Sequence, residues 1–184
     1  PRSPEPLNSH AVSVSIEGTQ LNCPEPSEKL PRLIVDADGC PVKDEVARVA
    51  RRLGLKITFV ANHSMRIPQG KGFRLEVVPK LFDAADDWIA ENCNGQSVVV
   101  TGDIPLASRC VAAGATVVNP RGRIHDEDSV GEALARRDLA THLRDLGLPT
   151  SGPEPFDHGD RSAFLQALDA VIQRVIRKLQ RDQL

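Results

Sequence analysis

The sequence predicts an α/β domain in which a parallel sheet of about five strands is covered by helices on both faces. From residue 32 onward, short runs rich in valine and isoleucine alternate with longer stretches of helical periodicity, a pattern typical of βαβ units. The chain of 184 residues is 40% hydrophobic and 26% charged, which is enough apolar material to form a core without disulfides. We therefore expect a three-layer sandwich whose strands take the doubly wound order 3-2-1-4-5.

Five short apolar runs are the predicted strands, and each is bounded by polar residues or glycine. They cover residues 33–35, 57–60, 75–78, 97–101 and 115–118. The runs are almost continuously apolar, as expected for strands that are buried on both faces of a parallel sheet.

Three helices are predicted between these strands. Pro41 suits the first turn of a helix over residues 41–53, which Gly54 ends. Asp83 can cap a helix that runs to about residue 93, and Pro105 opens a helix that ends at Gly114.

Two more helices are predicted after the last strand. Ser129 and Glu132 form an S-x-x-E capping box for a helix that reaches toward Leu146. Asp160 can cap the final helix, whose apolar residues fall on one stripe. That stripe comprises Phe164, Leu168, Val171, Ile172, Val175 and Leu179.

The charge and cysteine content narrow the class of protein. The net charge is −2, and the negative excess lies in the proline-rich residues 1–31, which we predict to be a mostly disordered tail before a domain over 32–184. A neutral body is not typical of a nucleic-acid-binding protein, although a local basic patch is enough for binding.

The four cysteines contain no C-x-x-C pair, and no apolar run is long enough to span a membrane. We expect a cytoplasmic protein with reduced thiols and no membrane partner.

Aspartates follow the predicted strands at the edge where doubly wound sheets bind ligands. Asp36 and Asp38 follow the first strand, Asp103 follows the fourth, and Asp86 lies in the first turn of the helix after the third. Because strands one and four are neighbours in the expected order, Asp36 and Asp103 should face each other. Crowded carboxylates repel unless a cation compensates them, and Mg²⁺ or Mn²⁺ prefers such oxygen ligands. An aspartate after a strand is also a common helix cap, which is the simpler interpretation of Asp83.

Several nearby residues are candidates for substrate binding. Asn62 and Arg66 lie in the polar loop after the second strand, while Asn119 and Arg121 follow the fifth. An arginine beside an acidic metal site can bind phosphate through two N–H groups. Cys40 lies next to the acids, but a free cysteine is more often a small buried apolar residue than a nucleophile.

At these residues the sequence resembles the YaiI/YqxD family of uncharacterised bacterial proteins. The resemblance covers residues 32–173 in the same order, and the run at 100–107 is the most specific part of it. The matching stretches are VDADGCPV (35–42), VAN (60–62), FDAADD (82–87), VTGDIPLA (100–107), NPRG (119–122), RRD (136–138), GP (152–153) and DR (160–161).

The resemblance implies a fold similar to PIN-like nuclease domains. Those domains bind Mg²⁺ or Mn²⁺ with acids placed as Asp36, Asp86 and Asp103 are here, and Asp38 would assist them. PIN enzymes often carry a further acid after the last strand, where this chain has Asn119, which would supply a carbonyl oxygen but no charge.

Three functions remain open from the sequence. The first is a metal-dependent nuclease that cleaves RNA. The second is a haloacid-dehalogenase-type phosphatase, because residues 33–39, with three apolar residues before D-x-D-G, resemble that family's first motif, hhhhDxDG. Asp36 would be the nucleophile and Asp38 the acid/base; the usual G-D-x-x-x-D motif is missing. The third is a non-catalytic RNA- or protein-binding module of the same fold. A homodimer is left open.

Overall fold

The computed structural model describes residues 30–81, 83–147 and 155–182. Within them the predicted α/β architecture is confirmed: a sheet of order β3-β2-β1-β4-β5-β6, parallel except for the antiparallel β5–β6 pair. The strands are β1 (Arg32–Asp36), β2 (Ile57–Ala61), β3 (Phe73–Val77), β4 (Ser97–Val100), β5 (Thr116–Val118) and β6 (Ile124–His125). The predicted tail lies almost wholly outside the described residues, so its disorder stays a prediction.

Five helices accompany the sheet, and they divide between its two faces. They are α1 (Lys43–Leu53), α2 (Ala84–Asn92), α3 (Ile104–Ala112), α4 (Glu127–Asp145) and α5 (His158–Arg181). Helices α1 and α5 pack on one face around a core that contains Phe59 and Phe164, both fully buried. Helices α2 and α3 cover the other face around Ile89 and Leu106, and Val130 of α4 joins that core. Burial of each such side chain stabilises the fold by roughly 1.5–3 kcal/mol.

The C-terminal helix bears out its predicted apolar stripe. All six stripe residues are buried in the core on the α1 face. The helix begins slightly earlier than predicted, however, because Asp157 is the N-cap and Asp160 is the third helical residue. Each donates its backbone N–H to the other's carboxylate, so Asp160 completes a reciprocal capping box instead of beginning the helix.

The other differences are also at element ends. The capping box predicted from Ser129 is wrong, because Asp126 is the N-cap of α4 and Ser129 is its third helical residue. Helix α1 begins two residues after Pro41, and β3 begins at Phe73, two residues before the predicted position. Strand β6 was not predicted because two residues leave no periodicity to detect.

The β5–β6 turn packs against the backbone of α5 through a glycine. Gly122 has φ +82°, and a Cβ atom there would lie 2.6 Å from the carbonyl carbon of Ala163. Only glycine accepts both this conformation and this close approach. The turn therefore fixes the residues after β5 against the start of α5. Among the described residues, no helix is both long and apolar enough to cross a membrane.

Candidate functional site

Asp36 and Asp103 are joined by a short relay through a buried threonine. Residue 36 ends β1, and Thr101 follows the neighbouring strand β4. The Thr101 hydroxyl donates to Asp36 Oδ2 at 2.9 Å and accepts the backbone N–H of Asp103 at 3.0 Å. The predicted proximity of the two acids is thus realised by a residue for which the sequence analysis had given no role. The only signal for it was a hydroxyl two residues before an aspartate, which is typical of a local side-chain turn.

Asp103 is both a helix cap and the partner of an arginine. Its Oδ1 accepts the backbone N–H of Leu106 at 2.9 Å, so the cap interpretation is correct for this residue. Its Oδ2 lies 3.1 Å from Nη1 of Arg137, which reaches across from α4. The carboxylate is about one-third exposed, so it keeps an open side toward solvent.

Asp38 is held on the other side of Asp36, at the end of β2. Its Oδ2 accepts the backbone N–H of Asn62 at 2.9 Å, and its Oδ1 lies 3.2 Å from Nδ1 of His63. The side-chain oxygen of Asn62 is buried with no hydrogen-bond partner in the described part of the chain. A buried oxygen without a hydrogen-bond donor lowers the stability of the folded chain. A water could donate a hydrogen bond to this oxygen, or a cation could be bound by it.

Asp86 lies in the first turn of α2, facing the same edge of the sheet. Burial raises the pKa of Asp86 to about 6, and the charges of Asp36, Asp103 and Asp83 contribute to the increase. Burial also raises the pKa of Asp36, and Asp38 and Asp103 raise it further, while the hydrogen bond from Thr101 lowers it. We call Asp36, Asp38, Asp86 and Asp103 the acid cluster. The charges of its neighbouring members contribute to the raised pKa values of Asp36 and Asp86.

The acid next to Asp86 behaves differently. Asp87 lies 2.8 Å from Arg109 of α3, and both side chains are largely exposed. It forms a surface ion pair and does not belong to the acid cluster. Asp83 is the N-cap of α2 but accepts no side-chain capping hydrogen bond, and its φ of 58° is the one positive value among the described non-glycine residues.

The acid cluster suits a hydrated divalent cation in donor type and charge. It offers hard oxygen donors, and burial together with neighbouring carboxylates raises the pKa values of Asp36 and Asp86. In the chain as described, no three His, Cys, Asp or Glu side chains form a ready cage for a metal. Mg²⁺ keeps several waters and takes only one or two carboxylates directly, so a complete protein cage is not required of such a site.

The predicted substrate-binding residues are placed less uniformly. Arg121 is held against the start of α5, where its Nη1 lies 2.6 Å from Asp160 Oδ2. Asn119 builds the β5–β6 turn, since its Oδ1 accepts the backbone N–H groups of Arg121 and Arg123. The carbonyl considered as a metal ligand is therefore already engaged. Arg66 is exposed in the loop after β2, with no ion pair to an acid in the described ranges.

Cys40 is buried beside the acid cluster, as the sequence analysis expected. Burial raises the pKa of the Cys40 thiol to about 11, and Asp36 and Glu45 add to the increase. The thiolate is the nucleophilic form. A thiol with this pKa is protonated at neutral pH, so Cys40 is a core residue and not a nucleophile.

The comparisons with known proteins identify the family. The family model described as "Uncharacterized BCR, YaiI/YqxD family" matches residues 34–174. This range covers most of the chain and includes the whole acid cluster. The chain belongs to the YaiI/YqxD family. A UPF0178 protein of Rhodopseudomonas palustris is 50% identical over 152 residues, which are 83% of this chain and 96% of that protein. A UPF0178 protein of Rhizobium meliloti is 50% identical over 145 residues, which are 79% of this chain and 99% of that protein. The resemblance given by the acid motifs is thereby confirmed.

Proposed function

We propose that this YaiI/YqxD protein is a divalent-metal-dependent nuclease that hydrolyses RNA phosphodiester bonds at the acid cluster, with the PIN-like character implied by the sequence motifs. The observation that carries the proposal is the placement of Asp36, Asp86 and Asp103 at one edge of the sheet, where the Thr101 hydroxyl donates to Asp36 and accepts the backbone N–H of Asp103. Burial raises the pKa values of Asp36 and Asp86, and the charge of Asp103 adds to the increase in both. Carboxylates from β1, α2 and the start of α3 are thus gathered at one edge without enough positive charge to balance them. A bound cation would relieve this repulsion.

Asp36, Asp86 and Asp103 are the residues that would hold Mg²⁺ or Mn²⁺. When bound, such an ion neutralises charge on a phosphoryl oxygen and lowers the pKa of a water. The Thr101 hydroxyl orients Asp36, and the backbone at the start of α3 orients Asp103. Asp38, fixed by the Asn62 N–H, adds negative charge beside Asp36. Arg137 holds Asp103 on its exposed side and can donate to a phosphate oxygen when the carboxylate is otherwise engaged.

The contacts of Asp38 favour this proposal over the phosphatase. A haloacid-dehalogenase-type mechanism needs Asp38 to deliver a proton as acid/base. Both carboxylate oxygens are instead already engaged, since Oδ2 accepts the backbone N–H of Asn62 at 2.9 Å and Oδ1 lies 3.2 Å from Nδ1 of His63. Trapping by beryllium fluoride at Asp36 would support the phosphatase; its absence together with RNA cleavage would support the nuclease.

The test is cleavage of labelled single-stranded RNA by the full chain with Mg²⁺ or Mn²⁺. We expect Asp103→Asn to lower kcat at least about 100-fold, because several kcal/mol of charge stabilisation is lost. Asparagine caps helices as well as aspartate, so this variant keeps α3 while it removes the charge. The matched control is Asp87→Asn, which loses only a surface ion pair.

Two results would contradict the proposal. One is no cleavage by the wild-type chain with either metal across varied RNA and DNA strands. The other is equal activity of Asp103→Asn and Asp87→Asn. RNA binding that persists in a chain without any cleavage, and in both aspartate variants, would indicate the non-catalytic binding module instead.

A further inference from the structure

Two arginines and a phenylalanine form a preorganised group beside the acid cluster. The guanidinium carbons of Arg121 and Arg161 lie 5.9 Å and 5.2 Å from the ring centroid of Phe156. We call these three residues the arginine platform. Each cation–aromatic contact stabilises its arginine and restricts its rotation.

The platform is linked to the acid cluster through backbone segments that lie next to the acids. Arg161 Nη1 donates to the carbonyl of Pro41 at 3.3 Å, in the loop that joins the end of β1 to α1. Lys43 Nζ donates at 2.8 Å to the carbonyl of Ala37, which lies between Asp36 and Asp38 in the chain. On the other side, Pro120 in the turn before Arg121 lies close to Gly102, the neighbour of Asp103. A strand bound at the acids would therefore have this basic group at its flank.

The arginines of the platform are oriented from the protein side and open on the solvent side. Arg161 lies 2.6 Å from Glu45, and Arg121 lies 2.6 Å from Asp160. The Glu45 and Asp160 side chains are 12% and 19% exposed, whereas those of Arg161 and Arg121 are 40% and 37% exposed. The carboxylates thus hold the guanidinium groups from within and leave part of each group facing solvent.

Arg161 keeps an unused edge. Its hydrogen bonds to described residues, those to Pro41 and Glu45, both use Nη1. The Nε and Nη2 groups have no acceptor in that part of the chain, and two adjacent N–H donors match two oxygens of a phosphate. The orientation is already fixed by Phe156 and Glu45, so little side-chain entropy remains to be lost on binding.

We propose that Arg161, together with Arg121 against the same ring, binds a backbone phosphate of the RNA strand next to the one cleaved at the acid cluster. This assignment rests on the proposed nuclease function for its substrate class. It gives roles to Arg161 and Phe156, which the sequence analysis had not singled out, and it explains how a protein of nearly neutral charge can bind a polyanion through one local group.

The experiment measures binding apart from cleavage. Fluorescence anisotropy of a short single-stranded RNA is followed with the full chain in EDTA, over a series of salt concentrations. We expect Arg161→Gln to weaken binding about tenfold at low salt and to reduce the slope of log affinity against log salt by about 0.7, as for one lost phosphate contact. Arg161→Lys should keep the slope and lose only part of the affinity, because its charge remains without the two-donor edge.

Arg52→Gln is the matched control. Arg52 also pairs a helix α1 position with a carboxylate of α5, Asp169, at 2.5 Å, but it lies away from the platform. The double variant Glu45→Gln/Arg161→Gln removes the buried partner charge as well, so it tests the same contact if Arg161→Gln alone unfolds the chain. Arg52→Gln and the double variant should both fold. Only the double variant should show a reduced slope of log affinity against log salt.

Failure of this inference is distinguishable from failure of the proposed function. Equal affinity and slope in Arg161→Gln, the double variant and Arg52→Gln would overturn the platform even if RNA is cleaved. The same conclusion follows if the wild-type chain binds no RNA in EDTA, or if Arg161→Lys loses as much slope as Arg161→Gln. A platform that binds RNA in a chain that never cleaves it would stand without the nuclease.

Discussion

The two sides of the carboxyl edge of the sheet differ in how their charged side chains are paired. On the α2 and α3 side, the acid cluster gathers four carboxylates, and burial together with neighbouring charges raises the pKa values of Asp36 and Asp86. On the α1 and α5 side, Arg121 and Arg161 each lie 2.6 Å from a carboxylate of the protein, and Arg161 keeps Nε and Nη2 without an acceptor among the described residues. The acid side therefore lacks balancing positive charge, while the basic side is oriented by its ion pairs and keeps donors for a further oxygen ligand. A ligand that brings a cation to the first and a phosphate to the second would satisfy this difference.

The largest expected effect tests how the basic side is fixed. Gly122→Val places a branched side chain at φ +82° and against the backbone of Ala163. We expect a loss of about 3 kcal/mol in the free energy of unfolding, from strain and overpacking together. Urea denaturation measures it. Gly131→Ala is the control, since a Cβ there meets nothing within 4 Å and should stabilise α4 by about 1 kcal/mol. Equal stability of the two variants would show that the turn does not need its contact with α5.

A smaller effect tests the relay on the acid side. Thr101→Val keeps the side-chain shape but removes the donor to Asp36 and the acceptor for the Asp103 N–H. We expect a loss of about 1–3 kcal/mol in unfolding free energy, since buried polar groups lose their partners. Thr58→Val loses a single hydrogen bond from exposed Arg74 and should be nearly neutral. If Thr101→Val and Thr58→Val denature at the same urea concentration, the hydrogen bonds of Thr101 do not contribute to the stability of the fold.

The smallest effect tests the raised pKa of Asp86. Burial, and after it the charges of Asp36, Asp103 and Asp83, raises the pKa of Asp86 to about 6 in the folded chain, so its ionised form is less favourable when folded than when unfolded. The resulting destabilisation is present above about pH 6 and disappears as the pH falls below the ordinary carboxyl range. Asp86→Asn should thus stabilise the metal-free chain by about 1 kcal/mol at pH 7, after allowance for solvent screening, and by nothing near pH 3.

Asp87→Asn supplies the contrast for that experiment. Its carboxylate pairs with Arg109, so the substitution should leave stability unchanged or slightly lower at pH 7. Thermal denaturation in EDTA over a pH series compares the two. Stabilisation of equal size at both pH values, or in both variants, would mean that Asp86 is not under repulsion from the cluster.

The main architecture could be predicted from the sequence because the central strands are largely apolar runs and α1 and α5 each have a clear apolar face. The strand order alone predicts that Asp36 lies near Asp103, and in the structure the Thr101 hydroxyl joins the two residues. Strand β6 escaped because two residues carry no period, and both misplaced caps arose because a second polar residue three positions away satisfies the same capping pattern.

The site was predictable only in part, for a physical reason. Acids that follow strands can be placed from topology alone, but the residues that orient them depend on contacts between distant segments. Arg137 meets Asp103 across 34 positions, and Arg161 meets Glu45 across 116. Arg121 was expected to meet phosphate directly, and the structure adds that Asp160 and Phe156 hold it in place. No periodicity in the sequence reports such pairings.

The most direct test of the account is a calorimetric titration of Mn²⁺ into the metal-free full chain and into Asp36→Asn/Asp103→Asn. The account predicts one saturable site in the wild-type chain, accompanied by proton release near pH 6 as Asp86 ionises, and no such site in the double variant. Absence of binding to the wild-type chain, or the same isotherm for both proteins, would contradict the claim that the acid cluster holds a divalent cation.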